Sequence, residues 1–243
     1  MCFHTSTTHK TKKIENHFRV TLSDASLKAY FDKPHYHLNG FSHPNMLVIP
    51  QQRSDVLAPG VWGIVPSGKA PNDIKPYYKE SVKFGSGLNA RSEKVFDHFI
   101  YRNSIMDKRC IIPVSGFFEP HDQKGKKYPF HITSKKEEPI ALAGIYTVID
   151  TYITFSILTK DASPFLAKIH NKKKRQPVIL NLEDSHKWLS VDLNAKEING
   201  LLHTPFQDTG LTAYTVSKDL FSPKVDSNVQ EILMPVTYSE LNF

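Results

Sequence analysis

Cysteine is scarce in this chain. Its 243 residues include two, Cys2 and Cys110. Thiols so far apart in sequence make no disulfide framework, and a reducing compartment suits them better. Long apolar runs are missing too. The longest, Ile140 to Ile149, contains Gly144 and Thr147 and falls far short of the ~20 residues that span a bilayer. The start, Met1-Cys2-Phe3-His4-Thr5, has no apolar core of a secretory signal, which also leaves Cys2 without the context of a lipoprotein cysteine. No repeat shows at periods of 20 to 50 residues and no tract of low complexity is long enough to act as a linker. These absences predict a soluble, intracellular protein with no membrane partner.

Charge of both signs is present, with Lys and Arg ahead: 31 against 24 acidic residues gives a net +7. That excess is moderate, and it raises the expectation of an anionic partner without specifying one. A chain of this length forms one large domain or two small ones. It can bury roughly 70–75% of its unfolded surface unaided. The loop-like stretches, Pro34 to Pro44, Ala58 to Pro76 and Asp122 to Lys127, are too short to separate domains, so residues 1–243 are expected to form one.

β-branched runs mark strands at Cys110 to Val114, Tyr128 to Ile132, Ile140 to Ile149, Tyr152 to Leu158, Val178 to Leu180 and Thr212 to Val216. The Ile140 and Tyr152 runs are spaced as a hairpin turning at Asp150-Thr151. Helical patterns are fewer. Asp24 to Phe31 follows a capping Ser23, and Ser92 to Ile100 places Val95, Phe96, Phe99 and Ile100 on one face. Short helices are also expected at Glu183 to Leu189, Ala195 to Leu202 and Val229 to Leu233. Strands outnumber helices without alternating with them, which predicts an α+β fold.

Several segments carry chemistry. A small residue at position 2 favours removal of Met1, which would give Cys2 a free α-amine beside its thiol. An α-amine has a pKa of roughly 7.7–8 against ~10.4 for lysine, so it is free base on the order of 10² times more often at neutral pH. It can attack an aldehyde, and the thiol can then close on the imine to a five-membered thiazolidine. Gly85-Ser86-Gly87-Leu88-Asn89-Ala90 mimics a dinucleotide loop, but no buried strand precedes it and no βαβ spacing follows. Asn89 reads as a helix cap, with Arg91 near that helix N-terminus suited to an anion. Glu119 lies between Phe118 and Pro120, surroundings that can raise a carboxyl pKa for proton transfer. His170 precedes Lys172, Lys173, Lys174 and Arg175, a proton shuttle or surface residue beside a phosphate-facing or solvated loop. His35, His37 and His43 crowd one segment, but no second ligand pair, HExxH or CxxC accompanies them. No metal and no cofactor is expected, and no G-x-S-x-G elbow supports a serine hydrolase.

These segments, in this order, resemble the SRAP (SOS response-associated peptidase) family. The matching stretches begin at Met1-Cys2, Trp62-Gly63-Ile64-Val65-Pro66-Ser67 and Asn89-Ala90-Arg91-Ser92-Glu93. They continue through Arg109-Cys110-Ile111-Ile112-Pro113, Gly116-Phe117-Phe118-Glu119, Ala143-Gly144-Ile145-Tyr146 and Phe155-Ser156-Ile157-Leu158-Thr159, to Ile169-His170 and Pro177-Val178-Ile179-Leu180. The resemblance implies a single domain with a mainly antiparallel, barrel-like β core and a few short flanking helices. It also implies a monomer, cytoplasmic or nucleoid-associated, that shields abasic sites in single-stranded DNA through a covalent thiazolidine on Cys2. Autopeptidase and abasic-site lyase activities accompany that role. Carried over by motif, Asn89 would position the Cys2 amine and the sugar, Glu119 would move protons, and His170 would be a second acid/base. Arg91 and Arg175 would hold phosphates, with His4, Trp62, Lys172, Lys173 and Lys174 completing the DNA-binding face.

The chain departs from the family pattern in several places. Phe3-His4 stands where the family has Gly-Arg, Gly68 and Pro120 stand where it has tryptophans, and Asn39 to Pro44 rewrites a loop. About three residues are added between His170 and Pro177. Two other readings remain: a peptidase acting in trans through Cys2, Glu119 and His170, and a non-catalytic nucleic-acid-binding module using the cationic face.

Overall fold

The computed structural model describes residues 2–241. Its strands in chain order are β1 (His4–Thr7), β2 (Thr21–Leu22), β3 (His35–Asn39), β4 (Asn45–Pro50), β5 (Val56–Trp62), β6 (Asn89–Arg91) and β7 (Arg109–Val114). They continue as β8 (Gly116–Gln123), β9 (Lys126–Ser134), β10 (Ile140–Ile149), β11 (Tyr152–Asp161), β12 (Arg175–Pro177), β13 (Ile179–Leu180) and β14 (Leu211–Thr215). The longer helices are α1 (Thr11–Phe18), α2 (Lys28–Phe31), α3 (Ile74–Ser81), α4 (Ser104–Asp107), α5 (Pro164–Ile169), α6 (Leu182–Trp188) and α7 (Ala195–His203).

Five strands close into a barrel in the order β11-β10-β7-β4-β5. The parallel pairing of Thr154 with Val61 and Phe155 with Trp62 joins the last strand to the first. A five-stranded sheet, β14-β9-β8-β1-β3, packs beside it. The α+β reading therefore holds, and the barrel-like, mainly antiparallel core is present. Gly60 explains part of the closure: Ile153 and Phe155 of β11 lie 3.2 Å from where its Cβ would be.

The barrel strands are buried on both sides, which is why Ile140 to Ile149 reads as an unbroken apolar run rather than an alternation. Met46, Val48, Cys110, Ile112, Leu142 and Ile157 face one cluster shared with Phe117, Phe130 and Ile132 of the five-stranded sheet. Their odd-even neighbours Leu47, Ile49, Ile111, Ala143, Ile145 and Leu158 face a second, shared with Ile14 and Phe18 of α1, Trp188 of α6 and Ile198 of α7.

Several local expectations need correction, among them the Pro34 to Pro44 loop, which holds β3 paired with β1. Asp24 rather than Ser23 starts the 24–31 segment, its carboxylate accepting from the Ser26 amide at 2.8 Å, and only Lys28–Phe31 is α-helical. The Ser92 to Ile100 helix reduces to a 3-10 turn, Ser92–Lys94, because Asn89 is held in β6 beside β11 instead of capping a helix. Phe99 ends up exposed. Residues 230–233 form a 3-10 turn rather than a helix of any length. The loop expected from Ala58 to Pro76 supplies the end of the barrel-closing strand and the start of α3. Pro59 and Gly60, residues that break most strands, lie inside β5 opposite Leu47 and Met46 of β4.

Candidate active site around Cys2

The chain start is threaded into the space between the sheet and the barrel. β1 lies between β3 and β8, with His4 opposite Asn39 on one side and Phe118 on the other. Two hydrogen bonds hold the residues just before it: the Asn89 Nδ2 donates to the Cys2 carbonyl at 2.9 Å, and the Gly40 amide donates to the Phe3 carbonyl at 2.8 Å. Cys2 is fully buried. Burial and the nearby Glu119 carboxylate push its thiol up, so it is a protonated thiol at neutral pH. Its Sγ–H points at the His4 carbonyl, 3.7 Å away. Met1, whose removal the amine chemistry requires, lies outside the described residues.

Asn89 reaches Cys2 because of the turn that precedes it. Gly85, Ser86 and Gly87 all have left-handed φ (84°, 53° and 65°). At Gly87 a Cβ would meet the Ile64 carbonyl oxygen at 2.5 Å. The G-x-G pattern therefore serves a tight backbone turn that delivers Leu88 and Asn89 to the edge of β11. Asn89 Oδ1 is buried and has no hydrogen-bond partner among the described residues, leaving one acceptor open at the site.

Glu119, on β8, is buried at 1% exposure, and desolvation pushes its carboxyl pKa up to about 7. His170 follows α5, whose N-terminus is capped by Ser163. Its Nδ1 lies 2.9 Å from the Arg175 carbonyl and 3.2 Å from Glu119 Oε2. Desolvation, then neighbouring positive charge, lowers the imidazole to about 4. The contact is therefore not an ion pair at neutral pH: a neutral imidazole stands beside a carboxyl poised between its two protonation states. The carboxyl, poised near neutrality, is the member of the pair suited to both giving and taking a proton.

The structure brings Cys2, Asn89, Glu119 and His170 together, and Arg91 lies two residues beyond Asn89 on the same strand, exposed. It contradicts two of the expected DNA contacts. Arg175 is 7% exposed, and its guanidinium is committed to Glu93, to Asp161 at 2.8 Å and to the Thr159 carbonyl at 2.8 Å. It ties β12 to β11 and carries the carbonyl that orients His170, so it acts on the site from behind. Trp62 is fully buried and donates its indole N–H to the Leu88 carbonyl at 2.9 Å, so no base can stack on it. Lys172, Lys173 and Lys174 are exposed in the inserted loop, Lys172 3.3 Å from Asp122. His4 is half-buried. Its Nδ1 meets His37 Nε2 at 2.8 Å, and burial lowers it to about 3, so it brings no charge.

Beside Cys2 and Glu119 opens a cleft of about 570 Å³ lined by Phe3, His4, Phe41, Phe118, His170 and Phe221, with Lys127, Lys172 and Lys173 along it. Phe41 and Phe221 carried no signal in the sequence. Neither did His131, buried with its ring stacked on Phe118 and bonded to Ser6 and Tyr214. Two of the three histidines that suggested a metal edge have other partners: His37 bonds His4 and Ser227, while His43 stacks on Tyr78 at 3.6 Å.

Comparison with known proteins bears on the family and the fold of the chain. The profile of the SOS response associated peptidase (SRAP) family matches residues 1–223. "Abasic site processing protein YoaM" of Bacillus subtilis is 30% identical over 172 residues, 68% of this chain and 70% of that protein. "Abasic site processing protein YoqW" of the same organism is 29% identical over 203 residues, 77% of this chain and 85% of that one. A crystal structure of a Bacteroides thetaiotaomicron protein superposes with a TM-score of 0.83 at 31% identity, covering 97% of this chain and all of that one. The family match over nearly the whole length, with the fold and the order of motifs, places this chain in the SRAP family.

Proposed function

We propose that this protein processes abasic sites in single-stranded DNA by forming a thiazolidine crosslink through Cys2 once Met1 is removed. The observation that carries the proposal is the meeting of Cys2, Asn89, Glu119 and His170 around the buried Cys2, next to a cleft that His170 lines together with Lys127, Lys172 and Lys173. The names of the similar Bacillus subtilis proteins point to the same substrate.

The steps balance. The Cys2 amine adds to the aldehyde carbon of the ring-opened deoxyribose, giving a carbinolamine. Protonated Glu119 gives its proton to the carbinolamine hydroxyl, which leaves as water and yields the protonated imine. The Cys2 sulfur then adds to the imine carbon while the thiol proton passes to the Glu119 carboxylate, leaving the ring nitrogen as a neutral N–H. One water is lost overall, and Glu119 ends as it began. A carboxyl with a pKa near 7 suits both donation and acceptance. Asn89, with its free Oδ1, holds the Cys2 backbone and has an acceptor left for a sugar hydroxyl. Neutral His170 can accept and return a proton at the sugar ring oxygen. Autopeptidase and lyase activities belong to the same proposal: removal of Met1 creates the Cys2 amine, and the lyase reaction uses that amine with the Glu119 proton. The raised thiol pKa disfavours the alternative of a thiolate peptidase acting in trans, which needs an electropositive setting.

The test is incubation with uracil-containing single-stranded DNA after glycosylase treatment. A band that resists denaturation, and is lost in Cys2→Ala, supports the proposal; the same band persisting in Cys2→Ala overturns it.

A further inference from the structure

The loop between His170 and Arg175 is where the chain adds residues to the family pattern, and it closes on itself. The His170 carbonyl accepts from the Lys174 amide at 2.8 Å, and His170 Nδ1 lies 2.9 Å from the Arg175 carbonyl. Lys174 makes the turn in the left-handed region, at a φ of 49°. A carbonyl oxygen can only accept, so the proton of this neutral imidazole sits on Nδ1 and the lone pair on Nε2. The nitrogen that faces Glu119 is therefore a donor.

Both ends of the loop are anchored. At its start, Asn171 pairs with the backbone of β8 much as a strand would. Its Nδ2 donates to the Asp122 carbonyl at 2.8 Å, and its Oδ1 accepts from the Asp122 amide at 3.0 Å. Glu119 lies on the same strand, so this pair holds His170 beside it. At its end, the Arg175 guanidinium is gripped by Glu93, one carboxylate oxygen on each terminal nitrogen, and by Asp161 and Thr159 of β11. A forked carboxylate–guanidinium contact fixes a plane as well as a distance. Arg175 is also opposite Asp161 in the β11–β12 ladder, so its carbonyl turns only if side chain and backbone move together.

We propose that the loop, anchored by Asn171 and by the Glu93–Arg175 pair, is a frame that fixes the His170 proton on Nδ1 and keeps Nε2 as its accepting nitrogen. Asn171 and Glu93 are then positioning residues for the reaction, acting through His170 without touching the substrate. The frame rests on these contacts alone. Only the use of Nε2 in the chemistry rests on the abasic-site reading above.

The tautomer is read without DNA. Protein labelled with nitrogen-15 at histidine is studied at neutral pH by spectra that connect ring nitrogens to ring protons, with His170→Gln identifying the His170 signals. The parent should show a protonated Nδ1 and an unprotonated Nε2. Glu93→Ala and Asn171→Ala should each bring in the Nε2–H form while the other histidine signals keep their places. Glu93→Gln, which still offers the guanidinium an acceptor, should keep most of the parent's pattern. A parent that holds its proton on Nε2 overturns the frame, and that result needs no variant to fold. Folded variants that keep the parent's tautomer overturn it too. The rate then separates positioning from binding. Crosslinking at saturating protein should fall on the order of tenfold in Glu93→Ala and Asn171→Ala, with the half-saturating concentration unchanged. An unchanged maximal rate, or a change confined to half-saturation, overturns the role in the reaction. A parent locked on Nδ1–H that forms no crosslink leaves the frame standing and removes the thiazolidine reading.

Discussion

The two cysteines sit in one hydrophobic cluster, both fully buried and both with thiols raised by desolvation. Yet only one of them stands in a place where chemistry can happen. Cys110 is in the middle of β7, its backbone carbonyl accepting from the Trp188 indole and its strand paired on both sides. Cys2 sits where the chain begins, beside a carboxyl of pKa about 7 and an imidazole of about 4, with a cleft opening next to it. Burial therefore does not distinguish a reactive thiol from an inert one here. In the proposed function, the α-amine that removal of Met1 would expose and the neighbouring groups able to move protons do.

The largest effect expected from breaking that contrast is at the thiols themselves. Cys2→Ala should remove the denaturation-resistant adduct entirely, while Cys110→Ala should keep it and only lower the unfolding free energy read from urea titration, by the few kcal/mol or less that a small core truncation costs. An adduct lost equally in both would erase the distinction. Glu119→Gln comes next. It should slow crosslinking by about 10²–10⁴ and abolish the inflection near pH 7 in the rate profile.

The same substitution has a signature in stability. The folded carboxyl titrates above its unfolded value, so the native state binds the extra proton, and this contribution is complete below about pH 4.5 and lost as pH rises through about 7. The stability of Glu119→Gln relative to the parent should therefore rise between pH 5 and pH 8 in paired denaturation curves. His170 has the opposite sign: its folded pKa is depressed, so its contribution is present above about pH 6.5 and lost as pH falls through about 4.

Smaller effects separate the two arginines. Arg175→Ala should destabilise by about 2 kcal/mol, less than the loss from a fully buried pair because Asp161 is exposed, and leave the salt dependence of DNA binding unchanged. Arg91→Ala should leave the melting temperature in place and lower the slope of log affinity against log salt by about one.

The four residues of the pocket were legible in the sequence because each is a distinctive residue type within an ordered run of motifs. That they are neighbours followed from the family resemblance and not from any local pattern. Asn89 reads as a cap because Asn before Arg-Ser-Glu is a normal helix start, and only the β6–β11 pairing, which no local pattern encodes, turns it toward Cys2. Arg175 reads as a DNA contact because it ends a run of lysines, whereas its acidic partners, Glu93 and Asp161, lie far off in sequence. The uninterrupted strands β10 and β11 were plain from composition. The closing strand β5 was hidden by Pro59 and Gly60, whose place is set by the strand crossing beside them. Phe41 and Phe221 gave no signal, since an isolated aromatic in a loop becomes a wall only when the fold assembles the opposite one.

The most direct test of the account is tandem mass spectrometry of the crosslinked protein after digestion of protein and DNA. The account predicts one modified peptide beginning at Cys2, without Met1, carrying the deoxyribose fragment with the loss of one water and fragment ions that keep sugar, amine and sulfur together on Cys2. A sugar found on a lysine of the Lys172–Lys174 loop, or on a peptide that still begins with Met1, would contradict it.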